Sequence, residues 1–331
     1  MAHPLFIVDA FATKPFGGNP AAVVTLDEDD VPPTDDYLQA VASEMNLSET
    51  AFIAPADNGE HGHFRLRWFT PVREVDLCGH ATLATAQVLY DLGKIDLHTP
   101  IIFHTRSGLL EARPFVDNGG SFAEGHRGGV GVKIMLPADP PVESLLPEGL
   151  LDAMSLVGGD VLYTGRGTAG EAWDWLIEVS SPEVVADVRP HFAHVDKLTK
   201  EPARGVCVSA VDGEGVYSRC FYPAYGIDED PVTGSAHCMI GPHFAKKLGR
   251  TSVHCRQGGV RQGKLLATPR DDVAARSVSI GSEIRERQPP VSETARMTID
   301  PKMSCASTPC STPKIGLISV TRSAPSMPCV Q

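Results

Sequence analysis

The chain has 331 residues, of which 42% are apolar and 21% charged; this composition excludes a disordered or fibrous protein, and the length fits two domains. The formal net charge of −12 argues against nucleic acid and anionic membranes as partners. Because a signal peptide and a transmembrane run are not recognisable, and eight cysteines are too sparse for a disulfide scaffold, we expect a cytoplasmic protein with reduced thiols.

The first half of the chain alternates predicted strands and helices. Apolar runs predict strands over residues 6–11, 21–24, 49–53 and 64–69. Thr34 is a predicted N-cap for a helix that reaches Met45, because Asp35 and Asp36 follow in the first turn. A second helix is predicted over residues 80–92, where Gly93 ends it.

The second half shows the same alternation. Strands are predicted over residues 206–208 and 216–221, and a helix over residues 235–248 that stops at Gly249. Pro242 lies inside this helix, and its missing N–H predicts either a kink or a late start.

Two long segments share one order of features: an aromatic residue, a proline, an aspartate in a loop, a glycine, a helix and a Leu-Gly pair. The members are Phe69, Pro71, Asp76, Gly79 and Leu92-Gly93 in the first segment, and Phe221, Pro223, Asp230, Gly234 and Leu248-Gly249 in the second. This order predicts a duplicated unit. We therefore predict an N-terminal half over residues 1–127 and a C-terminal half over residues 128–285.

Residues 286–331 differ in composition, because Pro, Ser and Thr are frequent there. Such a segment buries little apolar surface, so we predict a mostly disordered tail. The short apolar run over residues 315–320 is a candidate strand within it. Cys305 and Cys310 have no histidine nearby, and His61 and His63 have no third ligand close in sequence. These patterns predict no metal site.

Glu49 stands where a loop ends and a predicted strand begins. The ends of such elements line clefts, and a partly buried glutamate there has a raised pKa suited to proton transfer. A solvated surface glutamate is the alternative interpretation.

Gly79 and His80 open one predicted helix, and Gly234 and Ser235 open the equivalent helix of the second half. Backbone N–H groups at a helix N-terminus are unpaired and the helix dipole is positive there, so each end favours an anion. Two such ends that face each other predict a carboxylate site. The dipole also favours a neutral His80, unless this side chain only caps the helix or fills space.

Asp230 could hold a substrate amine or hydroxyl, orient His80, or only form the turn that Asp-Pro sequences supply. Cys78 lies at the start of the same helix as His80. It is either a nucleophile activated by the helix end or a buried, inert thiol.

Five motifs in this order resemble the phenazine-biosynthesis PhzF-like family and cover roughly residues 5–260. They are Asp9-Ala10-Phe11 with Pro15-Phe16-Gly17-Gly18-Asn19-Pro20, Asn46-Leu47-Ser48-Glu49-Thr50, Arg67-Trp68-Phe69-Thr70-Pro71, Leu77-Cys78-Gly79-His80-Ala81-Thr82, and Asp230-Pro231-Val232-Thr233-Gly234-Ser235-Ala236.

The resemblance implies an α+β, diaminopimelate-epimerase-like fold. In this fold two pseudo-symmetric halves each wrap a curved, mostly antiparallel sheet around a central helix, and the site lies between them. The resemblance also implies a homodimer and no cofactor. In the family's best-understood member the reaction isomerises a dihydro-hydroxyanthranilate.

The resemblance assigns roles to seven side chains or backbone positions. The implied catalytic residues are Glu49, which shuttles the proton, and His80 and Asp230, which position the substrate and assist. The implied substrate-binding residues are Asn19, Gly79, Gly234 and Ser235.

Two features depart from the family and its relatives. Related epimerases use two cysteines, and Thr233 stands where the second would be, which favours a glutamate-based isomerase over a two-thiol racemase. After Gln257-Gly258-Gly259 the sequence follows the family pattern only vaguely.

The leading prediction is a cofactor-independent isomerase for a small metabolite that carries a carboxylate. One alternative is an epimerase or racemase of an amino or hydroxy acid. The other is a noncatalytic interaction protein that retains the fold.

Overall fold

The computed structural model describes residues 2–26, 33–116, 130–168, 173–199, 202–272, 275–282, 284–286 and 295–298. The predicted strand at 315–320, the tail residues Cys305 and Cys310, and the predicted boundary between residues 127 and 128 lie outside these ranges, so these predictions stay untested. Of the tail, the structure describes Glu286 and a short strand over Ala295–Thr298.

The first half, counted through β8 because β8 pairs with β7, contains eight strands and two helices among the described residues. The strands are β1 (Ala2–Ala10), β2 (Asn19–Thr25), β3 (Glu49–Pro55), β4 (His63–Phe69), β5 (Glu74–Val75), β6 (Ile101–Thr105), β7 (Gly108–Val116) and β8 (Val130–Pro137). The helices are α1 (Asp35–Met45) and α2 (Gly79–Asp91).

The second half adds further strands and four helices among the described residues. The strands are β9 (Val142–Glu143), β10 (Val161–Arg166), β11 (Trp173–Val179), β12 (Ala203–Asp212), β13 (Gly215–Tyr222), β14 (Ile227–Asp230), β15 (Val253–Gln257), β16 (Gly263–Asp272), β17 (Ala275–Ser282), β18 (Ile284–Glu286) and β19 (Ala295–Thr298). The helices are α3 (Leu150–Ala153), α4 (Pro182–Asp187), α5 (Phe192–Leu198) and α6 (His237–Leu248).

Strand pairing repeats between the halves. In the first half the ladder runs β1-β2-β3-β4-β6-β7-β8, with parallel pairs at β2–β3 and β4–β6 and antiparallel pairs elsewhere. The second half repeats this pattern as β10-β11-β12-β13-β15-β16-β17, with parallel pairs at β11–β12 and β13–β15. The predicted pseudo-symmetric, mostly antiparallel architecture is confirmed.

The two ladders join at their last strands. β8 and β17 pair antiparallel over six residue pairs, from Pro137↔Ser277 to Val132↔Ser282. On the far side of the first half, β1 pairs antiparallel with β18 and β19. One continuous ladder therefore runs through both halves.

Each half encloses one helix. Eleven of the 13 residues of α2 are buried, as expected for a helix that a sheet surrounds. The apolar side chains of α2 and α6 share one core with the inner faces of both sheets. The other helices pack outside: α1 covers Phe52 and Phe69, and α3, α4 and α5 cover the outer face of the second sheet.

The helix signals in the sequence have the expected effects. Thr34 caps α1 by accepting a hydrogen bond from the Tyr37 N–H at 3.3 Å, and Gly93 ends α2 with φ of +64°. Helix α6 begins at His237 rather than at residue 235, and Pro242 still lies inside it, so the helix does not start at the proline. Since Pro242 has no N–H, the carbonyl of Cys238 is released and accepts instead from the Asp139 N–H at 2.9 Å.

Among the described residues, no helix combines the length and the apolar character that crossing a membrane requires.

Candidate active site

The N-termini of the two enclosed helices meet between the halves. A Cβ atom built on Gly79 would lie 3.7 Å from the Cα of Gly234, and one built on Gly234 would lie 3.8 Å from the Cα of Gly79. Because neither glycine has a side chain, the two backbones approach closely.

The backbone donors on either side of this contact are unused. Among the described hydrogen bonds, none uses the backbone N–H of Gly79, His80, Gly234 or Ser235. Free N–H groups at a helix N-terminus, together with the positive end of the helix dipole, favour an anion. The structure thus brings Gly79, at the N-terminus of α2, against Gly234, in the turn that leads into α6. Ser235, in the same turn, is half-buried.

Glu49, Cys78 and His80 form a compact group at the start of α2. Glu49 begins β3, and its Oε2 lies 3.3 Å from His80 Nε2; the two side chains are 15% and 7% exposed. This contact lacks hydrogen-bond geometry, so His80 Nε2 is a buried nitrogen without a hydrogen-bond partner among the described residues. His80 Nδ1 lies 3.5 Å from Cys78 Sγ and 3.5 Å from Asn19 Nδ2.

Burial sets the protonation of this group. It raises the pKa of Glu49 to about 8, and the charge of nearby Asp230 adds to the increase. It lowers the pKa of His80 to about 4, so the imidazole is neutral as predicted, although burial rather than the helix dipole is the cause. It also raises the pKa of the Cys78 thiol well above its ordinary value, which disfavours a nucleophilic thiolate.

Asp230 enters the site from the second half and is held from two sides. It is the last residue of β14 and is 8% exposed. Asn19 Nδ2 donates to its Oδ1 at 2.8 Å, and Thr233 Oγ1 donates to its Oδ2 at 2.5 Å. Burial raises the pKa of Asp230 to about 6, while these two hydrogen bonds act in the opposite direction because they favour the carboxylate.

The structure brings the predicted site residues together, and it also defines the surroundings of Asn19. This side chain is fully buried at the start of β2. Its Nδ2 donates to Asp230 and, at 3.0 Å, to the carbonyl of Val232, and its Oδ1 faces Ser48 Oγ at 3.5 Å. The contacts of Asn19 are thus with the protein, and its direct binding of substrate stays a prediction.

Sequence reasoning missed Gln257, which is fully buried at the end of β15. Its side chain hydrogen-bonds the loop that carries Asp230 and Thr233. A signal was available, because Val253, Cys255 and Gln257 alternate as the buried positions of this strand. A glutamine at an inward-facing position needs hydrogen-bond partners.

The side chains that could hold a metal ion are those of Glu49, Cys78 and His80, the compact group at the start of α2. Within the described ranges, Glu49, Cys78 and His80 are the one group whose potential ligand atoms lie within 4.8 Å of one another. Metal binding would require the thiol and carboxyl to lose their protons, and the raised pKa values of Cys78 and Glu49 oppose this. The donor set therefore fits proton transfer better than metal binding.

Comparison with known proteins agrees with this geometry. The sequence profile of the phenazine biosynthesis-like protein family matches residues 8–281. An uncharacterised isomerase of Halalkalibacterium halodurans is 40% identical, and one of Pseudomonas aeruginosa is 44% identical; each alignment covers 80% of this chain and 90% of the relative.

A solved structure of a PhzF-family phenazine biosynthesis protein from Enterococcus faecalis superposes with a TM-score of 0.71 at 33% identity, covering 87% of this chain and 98% of that one. The α+β fold is the diaminopimelate-epimerase-like one that the motifs implied. The chain therefore belongs to the PhzF family of phenazine biosynthesis-like proteins.

Proposed function

We propose that the chain is a cofactor-independent isomerase that moves a proton between two carbons of a small, unsaturated, carboxylate-bearing metabolite. The observation that carries this proposal is the Glu49 carboxyl. Its side chain is 15% exposed, desolvation raises its pKa to about 8, and it lies 3.3 Å from His80 at the start of α2. The isomerase descriptions of the two bacterial relatives support the same reaction class.

Glu49 acts as both base and acid in this proposal. Its carboxylate accepts a proton from one carbon, the electron pair of that C–H bond spreads into the conjugated system, and the protonated Glu49 returns the proton to another carbon. Atoms and charge balance without an external oxidant or reductant. A catalytic group whose pKa lies near the working pH both accepts and donates a proton efficiently.

The helix ends of α2 and α6 hold the substrate carboxylate. The N–H groups at Gly79, His80, Gly234 and Ser235 are free for this purpose. These donors are fixed by the fold before substrate arrives, so they stabilise a developing negative charge without reorganising.

Asp230 and His80 have supporting roles. With a pKa of about 6, Asp230 is mostly ionised at pH 7 and can attract a substrate amine or hydroxyl hydrogen. His80 stays neutral over the same range and offers its unpartnered Nε2 next to Glu49. Two carboxyl groups with separated pKa values are typical of a site in which one is the protonated acid and the other the charged group.

The epimerase or racemase alternative would use Cys78 in place of Glu49. Cys78 Sγ lies at the correct helix end, but Thr233 occupies the equivalent place at α6 and the pKa of the thiol is raised. The noncatalytic alternative requires a partner that binds this fold. In that case the proton-transfer groups would catalyse no reaction.

Deuterium exchange tests the proposal. The chain is incubated in D2O with a dihydro-hydroxyanthranilate and a panel of other cyclic and unsaturated carboxylates, and deuterium uptake is measured by mass spectrometry from pH 5 to 9. We expect Glu49→Gln to lose roughly 10²–10⁴-fold in exchange rate because it removes the acid/base group. Glu44→Gln, at an exposed position of α1, is the matched control and should exchange normally.

Three outcomes would contradict the proposal. Normal exchange by Glu49→Gln removes the assigned base. Complete loss of deuterium exchange in Cys78→Ser, together with inversion of a stereocentre by the parent chain, supports the racemase. No exchange of any carboxylate, with partner binding that Glu49→Gln does not affect, supports the noncatalytic protein.

A further inference from the structure

A segment that begins at the last residue of β15 contacts the site from the second half. We call residues 257–262 the strap. It turns sharply at Gly258, where φ is +108° and a Cβ would lie 2.1 Å from the carbonyl oxygen of Arg261. Its first side chain, Gln257, points to the loop between Asp230 and Thr233.

All described hydrogen bonds of the Gln257 side chain go to this loop. Its Oε1 accepts from the backbone N–H of Thr233 at 2.9 Å. Its Nε2 donates to the carbonyl of Asp230 at 3.0 Å and to Thr233 Oγ1 at 3.0 Å. The backbone N–H can only donate, so the orientation of the Gln257 amide is fixed.

This orientation decides the direction of the next hydrogen bond. Thr233 Oγ1 already accepts from Gln257, so its own hydrogen is available for Asp230 Oδ2, 2.5 Å away. Asn19 donates to the other carboxylate oxygen. Asp230 is thus the final acceptor in a series of hydrogen bonds in which every donor points toward it. Only the ionised carboxyl can accept a hydrogen bond on both of its oxygens.

The titratable groups around Asp230 come from both halves. Glu49 and Cys78 approach from the first half. Cys220 is its register partner on β13, and Glu229 precedes it and is paired with Arg219 at 2.8 Å. None of these groups donates a described hydrogen bond to the Asp230 carboxylate, so Asn19 and Thr233 are its described stabilising donors.

We infer that Gln257 is a positioning residue that acts through Thr233 to aim a hydroxyl hydrogen at Asp230 and keep this carboxylate ionised. Among the described hydrogen bonds, the Gln257 side chain reaches Asp230 and Thr233 and makes none to Glu49 or His80. The inference deepens the proposed function, because it explains how Asp230 stays charged next to Glu49.

A titration of Asp230 tests this inference without any substrate. The full chain is labelled with carboxyl-¹³C aspartate, the Asp230 signal is assigned by its absence in Asp230→Asn, and its pKa is measured by NMR. We expect Gln257→Met and Thr233→Val, which keep the approximate side-chain volume, each to raise the pKa of Asp230 by about 1. Thr233→Ser retains the hydroxyl and should leave the pKa close to that of the parent chain.

Gln262→Met is the matched control on the same strap. The Gln262 side chain donates to the carbonyl of Gly259 at 3.2 Å and makes no described contact with Asp230 or Thr233. This change should leave the pKa of Asp230 unaltered.

An unchanged pKa of Asp230 in both Gln257→Met and Thr233→Val overturns the inference, as does an equal rise in Gln262→Met. If Gln257→Met does not fold, the pair Thr233→Val and Thr233→Ser decides the question. Because the readout is protonation, a negative result here is distinguishable from failure of the deuterium exchange test.

Discussion

The two halves share a backbone plan but supply different chemistry. Each half has the same order of parallel and antiparallel strand pairs, and each encloses one helix. The strand register allows the two halves to be compared residue by residue. Thr50 pairs with Phe69 in the first half, and the equivalent pair in the second half is Val206 with Phe221. The two phenylalanines begin the shared aromatic-x-Pro sequence.

By this register Gly205 is the counterpart of Glu49. A side chain cannot stand there, because a Cβ on Gly205 would lie 2.2 Å from the carbonyl oxygen of Phe221 and 2.4 Å from Cδ1 of Tyr222. The second half therefore has no room for an equivalent acid.

The loop aspartates are not equivalent either. Val75 pairs with Trp68 as Asp230 pairs with Cys220, and both stand four residues before the helix glycine. Asp76, which the sequence comparison aligns with Asp230, is offset by one residue, and its side chain is 76% exposed beside Arg106. Duplication thus explains the two facing helix ends, while each half contributes one carboxyl group of its own.

The largest expected effect separates the two loop aspartates. Asp230→Asn should reduce turnover roughly 10²-fold or more, because the amide cannot carry the charge that the site holds. Asp76→Asn is the matched change in the other half and should leave turnover unaltered. Both are measured as the deuterium exchange rate of the best carboxylate from the screen, and an equal loss in Asp76→Asn would mean that the halves are functionally alike.

The next largest effect is on the free energy of unfolding, and it comes from Glu49, the acid that the second half lacks. Since folding raises the pKa of Glu49 from 4.5 to about 8, unfolding releases a proton between these values and stability falls as pH rises. Glu49→Gln lacks this penalty, so it should match the parent chain near pH 4 and be more stable at pH 9, by at most about 5 kcal/mol. Urea unfolding at both pH values measures this, and equal stability at pH 9 would contradict the burial of Glu49.

The smallest effect tests the feature that the halves share. Gly79→Ala and Gly234→Ala should each weaken binding of the carboxylate by about tenfold, because each added methyl group would keep a ligand away from the neighbouring backbone N–H groups. Neither Cβ makes a contact below 3.6 Å, so both variants should fold. Gly159→Ala, at an exposed position with open space, is the control in calorimetric titration, and unequal losses in the two site variants would show that one helix end dominates.

Much of the fold could be predicted from the sequence, because caps and glycines act locally. Thr34 and Gly93 bound their helices as expected. The motif order also identified Glu49, His80 and Asp230 as neighbours. The link from Gln257 to Thr233 was missed because it depends on a contact between β15 and a loop 24 residues earlier. The offset of Asp76 was missed because only strand register distinguishes it from Val75.

The pairing of β1 has a consequence for how the chain folds during synthesis. Val8 of β1 pairs with Glu286, and Leu5 pairs with Ala295, so one edge of the first sheet stays unpaired until residues 284–298 have been made. Contacts this distant in sequence form slowly, and an unpaired strand edge invites association with other chains. A ribosome that stalls before residue 284 would therefore release a first half with an open edge, which is prone to aggregate although every residue of α2 and Glu49 has already been made.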